Sequence, residues 1–279
     1  MILEAAIGDA YGAGFEFQEL DYIIKNNHLT QYHKHGLYTE IYKRYTDDTQ
    51  MAIAITELLL EDDNWNEVKV ADKFVEAFHR DKRRGYSDRV YNALDASKNG
   101  TDFLKIIDNR SSGNGSAMRA YSIGLIKDIN QLLDFCEIQA KTSHLTAEGI
   151  SCAKRIALAV HFYKYKLGDK SSLIDFVNDT LKEKEVYKVT SPIDMHGYFT
   201  TQAVIKMVAE ADSMQDCLKR GIDYGGDTDT VAALCMAILS QKENCEKTLP
   251  KFLYDELENG TYGKDFLIGL DLKLKEKFH

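Results

Sequence analysis

The sequence predicts an all-α protein, a single compact multi-helix domain over residues 1–279 with about a dozen helices. Three observations carry this. Apolar residues recur at three- and four-residue spacing in one stretch after another. Proline occurs only twice, at Pro192 and Pro250, so little interrupts a helix. Alternating apolar runs are short, and no Asn-Gly turn sits between β-branched stretches.

Residues 2–12 read as a short helix rich in Ala and Gly, broken by the loop Gly12-Ala13-Gly14-Phe15-Glu16-Phe17. Glu16 lies between two aromatics, where a carboxylate is either a paired core acid or a site acid. Residues 18–44 read as irregular and polar. Their histidines, His28, His33 and His35, have no helical spacing, and no metal site is expected of them. A helix follows Thr46 and runs to about Asp62. Another follows Asn64 or Asn66, with Val70, Phe74, Val75 and Phe78 on one face. Shorter helices are predicted over 87–98 and 101–108, the second with Thr101 as N-cap. Asn99-Gly100 and Asn259-Gly260 read as helix C-caps.

Ser111-Ser112-Gly113-Asn114-Gly115-Ser116-Ala117-Met118-Arg119 is a Gly/Ser/Asn loop opening a helix that carries Ala120, Ile123, Leu125 and Ile126. It is either an anion-binding loop presenting backbone N–H groups or a plain turn capped by Ser116. Helices are predicted over 130–142 and 147–167, separated by a break in which His144 caps or bonds locally. Further helices follow over 171–185, 198–211, 213–221, 228–241, 245–258 and 264–277, with a clear loop at Ser191–Gly197.

Two polar clusters stand out. Tyr45-Thr46-Asp47-Asp48-Thr49 runs into the apolar pattern Met51, Ala52, Ile53, Ile55, Leu58, Leu59. Gly225-Gly226-Asp227-Thr228-Asp229-Thr230 runs into Val231, Ala232, Leu234, Met236, Ala237, Ile238. Both sit at predicted helix N-termini, where free N–H groups favour carboxylates. Each alone reads as a cap, with Thr46 or Asp227 as the capping residue. A cap needs one oxygen, however, and these clusters hold four aspartates. If the helix starts meet, those charges repel unless a cation neutralises them. Oxygen donors without Cys or His suit Mg²⁺, Mn²⁺ or Ca²⁺, and the sharper expectation is a two-metal site.

At this point the chain resembles the ADP-ribosylglycohydrolases along nearly its whole length. Ile7-Gly8-Asp9-Ala10-Tyr11-Gly12 is similar to the family's opening G-D-x-x-G, and Thr46 to Thr49 to its first metal motif. Gly113 to Arg119 is similar to its G-N-G-x-A-M-R loop, and Thr142 to Glu148 to its T-H segment. Gly225 to Thr230 is similar to its G-G-D-[TS]-D-T motif, and Leu257 to Gly263 to a C-terminal signature of bacterial members. The resemblance implies an all-α fold with a binuclear Mg²⁺ centre (Mn²⁺ as the alternative ion) in a central cleft. The implied ligands are Thr46, Asp47, Asp48, Asp227, Asp229 and Thr230. Glu16 and Asp48 are the implied catalytic carboxylates, with their acid and base roles undivided. Gly113, Asn114, Gly115, Ser116, Met118 and His144 would hold ADP-ribose. Arg119 is expected to pair with a nearby acid. The implied reaction is metal-dependent hydrolysis of the glycosidic bond between ADP-ribose and an acceptor, on a protein side chain or a small compound. Alternatives are a metal-dependent hydrolase of another ribosyl or phosphorylated molecule, or an ADP-ribose-binding protein without turnover.

Composition sets outer limits. The formal net charge is −9, and no basic stripe could track a phosphate backbone, so general nucleic-acid binding is not expected. Lys82-Arg83-Arg84 is the densest basic run and reads as a solvated helix end. Five cysteines without a C-x-x-C pattern read as reduced thiols of a cytoplasmic protein. Neither a signal peptide nor a membrane span is expected, and the protein is expected to be a monomer.

Overall fold

A computed structural model describes residues 1–279, and these form α-helices joined by loops, with isolated β-bridges but no sheet. The order is α1 (Ile2–Gly12), α2 (Leu20–Asn26), α3 (Asp47–Glu61), α4 (Glu67–Arg80), α5 (Asp88–Ala96), α6 (Gly100–Ile106), α7 (Gly115–Met118) and α8 (Ile129–Lys141). Then follow α9 (Ala147–Lys164), α10 (Leu173–Leu181), α11 (Gly197–Glu210), α12 (Met214–Asp223), α13 (Thr228–Gln241), α14 (Lys251–Asp255) and α15 (Lys264–Lys277). One contiguous core of 79 buried residues runs through all of them, so there is a single hydrophobic nucleus and a single domain.

The centre of the fold is the α1–α13 pair. A β-carbon on Gly8 would lie 2.5 Å from Ala232 O, and one on Gly12 would lie 2.5 Å from Thr228 O. Gly8 and Gly12 are one turn apart on α1, so together they form a flat strip on which the α13 backbone rests. Thr228 Oγ1 donates to Gly12 O at 2.8 Å and ties the first turn of α13 to the last turn of α1. α13 is buried along its whole length but for its last two residues, as expected of a helix that is apolar all round.

Several boundaries differ from the sequence expectations, for local reasons. The helix expected over 245–258 shrinks to α14, because Pro250 ends the extended run before it and takes the N-cap position. The 245–249 run instead bonds to the start of α12: Met214 N donates to Glu246 O, and Glu246 N to Asp212 O. Asn99 begins a helix rather than ending one, since its side chain accepts from Asp102 N at 2.9 Å; Thr101 lies inside that helix. Asn259 likewise accepts from Asp265 N in the turn entering α15. The predicted helix over 171–185 stops at Leu181, where Lys182 turns left-handed. Residues 18–44, expected to be irregular, contain α2 and a 3₁₀ turn at Thr39–Ile41.

The basic run is not a solvated end throughout. Lys82 and Arg84 are exposed, but Arg83 is buried, donating to Asp81, Glu258 and Tyr45 O. Its guanidinium lies 3.6 Å from the Tyr45 ring centroid. Glu258 also takes Arg44 at 3.0 Å. The C-terminal signature therefore clamps the chain just ahead of α3. All five cysteines are free and buried.

Candidate active site

α1 brings the N-termini of α3 and α13 to one cleft. Asp9, fully buried on α1, accepts from Thr46 N with both oxygens at 3.0 Å, from Thr49 N at 3.1 Å and from Thr49 Oγ1 at 2.6 Å. It therefore caps α3 from another helix. Burial pushes the Asp9 carboxyl up to about 6, against those hydrogen bonds, which favour the charged form. Thr46 is the N-cap, as expected, and accepts from Asp48 N at 3.3 Å, while Asp47 N donates to Arg84 O at 3.1 Å. The first-turn N–H groups are thus satisfied without the carboxylates of Asp47 and Asp48, which face the cleft.

The start of α13 follows the same logic. Gly226 has φ +86°, and a β-carbon there would lie 2.0 Å from Ile193 O, so only glycine permits the turn. Asp227 occupies the N-cap position but makes no side-chain cap; its carboxylate accepts from Asn114 Nδ2. Asp227, Asp229 and Thr230 line the cleft beside Asp47 and Asp48. Glu16, on the loop leaving α1, completes the group: oxygens of Glu16, Asp227 and Asp229 lie within 4.8 Å of one another.

This crowding has an electrostatic signature. Burial first, then neighbouring carboxylates, raises Asp47, Asp48 and Asp229 well above the usual carboxylate range, and Asp227 is raised too. Asp48 Oδ1 and Asp229 Oδ1 are buried with no hydrogen-bond partner. Orphaned acidic oxygens on two helix starts are costly without a counter-charge. The donors are all hard oxygens, which fits a divalent cation such as Mg²⁺ or Mn²⁺.

The other end of the cleft is basic. Arg119 is buried, but the expected acid partner is absent. It donates to Gln139 Oε1 at 2.6 Å, Gln139 O at 3.1 Å and Ser143 Oγ at 2.9 Å. Burial and the nearby Arg89 lower its guanidinium to about 9. Arg89 bonds only to carbonyls, of Asp108 and Ser143. Every other arginine has a carboxylate within reach. The two that lack one both line this cleft.

Ser143 Oγ accepts from Arg119 and lies 2.8 Å from His144 Nδ1. Burial and the two arginines push His144 far below its usual value, which favours the neutral ring, and its Nε2 is the nitrogen turned from Ser143. That nitrogen lies against the Gly113–Gly115 turn. Gly113, Asn114, Gly115 and Met118 line the cleft, and the N–H groups of Gly115 and Ser116 have no acceptor in the chain. Ser116 turns its hydroxyl away, to Gly149 O at 2.7 Å, and does not cap. Thr46 likewise sits behind the wall, its side chain on Asp48.

Sequence reasoning passed over His35, which the fold sets against Glu16 with Nε2···Oε2 at 2.8 Å. It also passed over Gly85 and Tyr86, on the strip between α4 and α5, and Arg89, in the first turn of α5, all of which line the cleft. Nothing in their local sequence distinguishes them from ordinary loop residues or, for Arg89, from an exposed helix residue.

The model of the ADP-ribosylglycohydrolase family matches residues 1–278. The chain belongs to this family. Among curated relatives, ADP-ribosylhydrolase ARH3 of Xenopus tropicalis is 30% identical over 198 residues, covering 67% of this chain and 56% of that protein. Human ADP-ribosylhydrolase ARH3 is 26% identical over 260 residues, covering 70% of this chain and 69% of that protein. The chain therefore spans between about half and two thirds of these relatives. A solved structure described as an ADP-ribosylglycohydrolase-related protein complex superposes with a TM-score of 0.74 at 18% identity, covering 100% of this chain and 96% of that one. That likeness establishes the shared all-helical glycohydrolase fold. No helix of this chain is long and apolar enough to cross a membrane.

Proposed function

We propose that this glycohydrolase cleaves the glycosidic bond between ADP-ribose and an acceptor with the help of divalent cations. The observation that carries this is the polarity of the cleft: buried carboxylates with orphaned oxygens at one end, and carboxylate-free arginines beside free N–H groups at the other. A ribosyl group joined to a pyrophosphate matches both ends.

Asp47, Asp48, Asp227, Asp229 and Thr230 would hold two Mg²⁺ ions, with Thr46, expected as a further ligand, behind them against Asp48. When bound, such ions neutralise the aspartates, hold vicinal sugar hydroxyls and polarise the reacting centre. The chain's own residues do the rest. Gly113, Gly115 and the Ser116 N–H lie where a phosphate would sit, with Arg89 and, in the tautomer protonated there, His144 Nε2 as further donors. Asn114 fastens that loop to Asp227, so phosphate and ribose ends are held at a fixed separation. Met118 supplies apolar wall. Positive charge developing at the anomeric carbon faces the carboxylate cluster.

Glu16 is the group suited to moving protons. It is partly exposed at the lip of the cleft, whereas Asp48 is buried. A proton-exchanging acid needs access to water and to the leaving group. Asp48, at the base, is suited to a ligand role.

The test is release of ADP-ribose from arginine-, serine- and O-acetyl-linked substrates, with Mg²⁺ and with chelator. Release from at least one that stops on chelation is expected. ADP-ribose binding without release from any would point to a binding protein. Release unaffected by chelator would remove the cations from the reading.

A further inference from the structure

We propose that His35 is a positioning residue that holds the Glu16 carboxylate in the cleft through a fixed imidazole tautomer. The proposal rests on the reading of Glu16 as the proton-transfer group. Its own basis is a different set of bonds.

His35 Nδ1 accepts two backbone hydrogen bonds, from Leu37 N at 2.9 Å and Tyr38 N at 3.0 Å. An imidazole nitrogen facing two N–H groups cannot carry a proton itself. The ring proton is therefore on Nε2, and Nε2–H donates to Glu16 Oε2 at 2.8 Å. The turn at Leu37–Tyr38 thus sets the direction of a bond made at the other side of the ring. The ring is 6% exposed and lies 5.2 Å, centroid to centroid, from Tyr38. Arg84 in turn sits 5.6 Å from the Tyr38 ring. His35 is held from behind and has one free donor.

Glu16 needs such a hold. Asp227 and Asp229 offer oxygens within 4.8 Å of its own, so like charge pushes it outward. It sits on a loop whose next residue, Phe17, already has φ +50°. Fixing Oε2 on His35 leaves Oε1 as the oxygen that exchanges protons. No ordinary backbone signal predicts this, because the two residues belong to separate loops that meet only in the fold, here and at the Phe15–His33 ring contact of 4.8 Å.

Two variants separate the ring's roles. His35→Asn keeps an acceptor near the Nδ1 position, preserving the turn, and removes the donor to Glu16. His35→Gln carries an amide donor to about the reach of Nε2. For His35→Asn, kcat should fall on the order of 10- to 100-fold, the range typical of lost outer-layer support, with KM and the affinity for added ADP-ribose within about 2-fold. His35→Gln should recover most of the loss. Ring-nitrogen NMR of the wild type should show a protonated Nε2 and a bare Nδ1.

A folded His35→Asn with wild-type kcat, or an NMR spectrum with the opposite tautomer, overturns the proposal. So does a loss that appears in KM alone. Glu16→Gln separates the layers: if it is inactive while His35→Asn is unimpaired, His35 alone has been misread. If Glu16→Gln turns over normally, the role of Glu16 falls and the proposal with it. In the Glu16→Gln background, His35→Asn should cost nothing further; an additive loss would show that His35 acts elsewhere.

Discussion

Replacing Asp229 by Asn should make the cation-free protein more stable while removing its response to Mg²⁺. Asp229 is buried, its Oδ1 has no partner, and oxygens of Glu16 and Asp227 lie within 4.8 Å. Two unit charges at 4.8 Å repel by about 3.5 kcal/mol at an effective dielectric near 20. The cluster relieves part of this by holding protons, so the net gain from Asn is smaller, about 1–3 kcal/mol. At about 2 °C per kcal/mol for a chain of this size, the apo Tm should rise by about 2–6 °C. The wild type should gain about 2.7 kcal/mol when Mg²⁺ reaches 100 times its Kd, and the variant little. The sign with pH follows from the raised carboxyls. The folded state keeps protons that the unfolded chain has lost, so apo stability falls as pH rises above the ordinary carboxylate range. The benefit of Asp229→Asn should therefore shrink toward pH 5 and grow toward pH 7, while Mg²⁺ stabilises the wild type more strongly as pH rises. Calorimetry across pH, with chelator and with Mg²⁺, measures both trends. A variant that is less stable at pH 7 by 1 kcal/mol or more, yet keeps the full Mg²⁺ response, would refute the reasoning.

Two further predictions use parts of the same frame. Gly12→Ala forces a β-carbon to 2.5 Å from Thr228 O and 2.6 Å from Asp229 Cα. It should cost at least about 1–3 kcal/mol in urea denaturation and should weaken Mg²⁺ stabilisation, because the α13 start is displaced. Arg89→Ala should leave the Mg²⁺-induced Tm shift intact and weaken ADP-ribose binding by about 10- to 100-fold, the value of about 1.4–2.7 kcal/mol for a charge-assisted bond. Titration calorimetry with ADP-ribose decides that one, and unchanged affinity would remove Arg89 from the phosphate end.

Much of this was legible in the sequence because the informative features are local. Helix starts announce themselves by Thr/Asp clusters ahead of apolar runs, and both α3 and α13 begin where those clusters predict. The helical class followed from periodicity and from scarce proline. What the sequence hid depends on distant partners. Asn99 reads as a C-cap until its side chain is seen on Asp102 N. Arg83 reads as a solvated charge until Glu258, far along the chain, is placed beside it. Arg119 has the charge of an acid's partner but meets an amide and a hydroxyl. His35 has no spacing rule to reveal it, because its partner Glu16 lies across a fold that only tertiary packing creates.

The opening Gly8-Asp9…Gly12 pattern gains a physical account that a motif cannot give. An aspartate in the first turn of a helix normally spends its oxygens on nearby N–H groups, and two such helix starts would make ordinary caps. Here the capping work is moved elsewhere. Asp9, Thr46 and the Arg84 carbonyl take the N–H groups of α3, and Asn114 rather than a backbone amide occupies Asp227. Gly8 and Gly12 let α13 approach closely enough for the displaced carboxylates of both helices to share one cleft. Removing the charge of Asp9 while keeping its shape would therefore do more than weaken one cap. It would leave Thr46 and Thr49 N–H groups seeking the nearest acids, Asp47 and Asp48, and draw those carboxylates out of the cleft. The acidity of the site is available for a ligand because another helix has met the needs of the backbone that carries it.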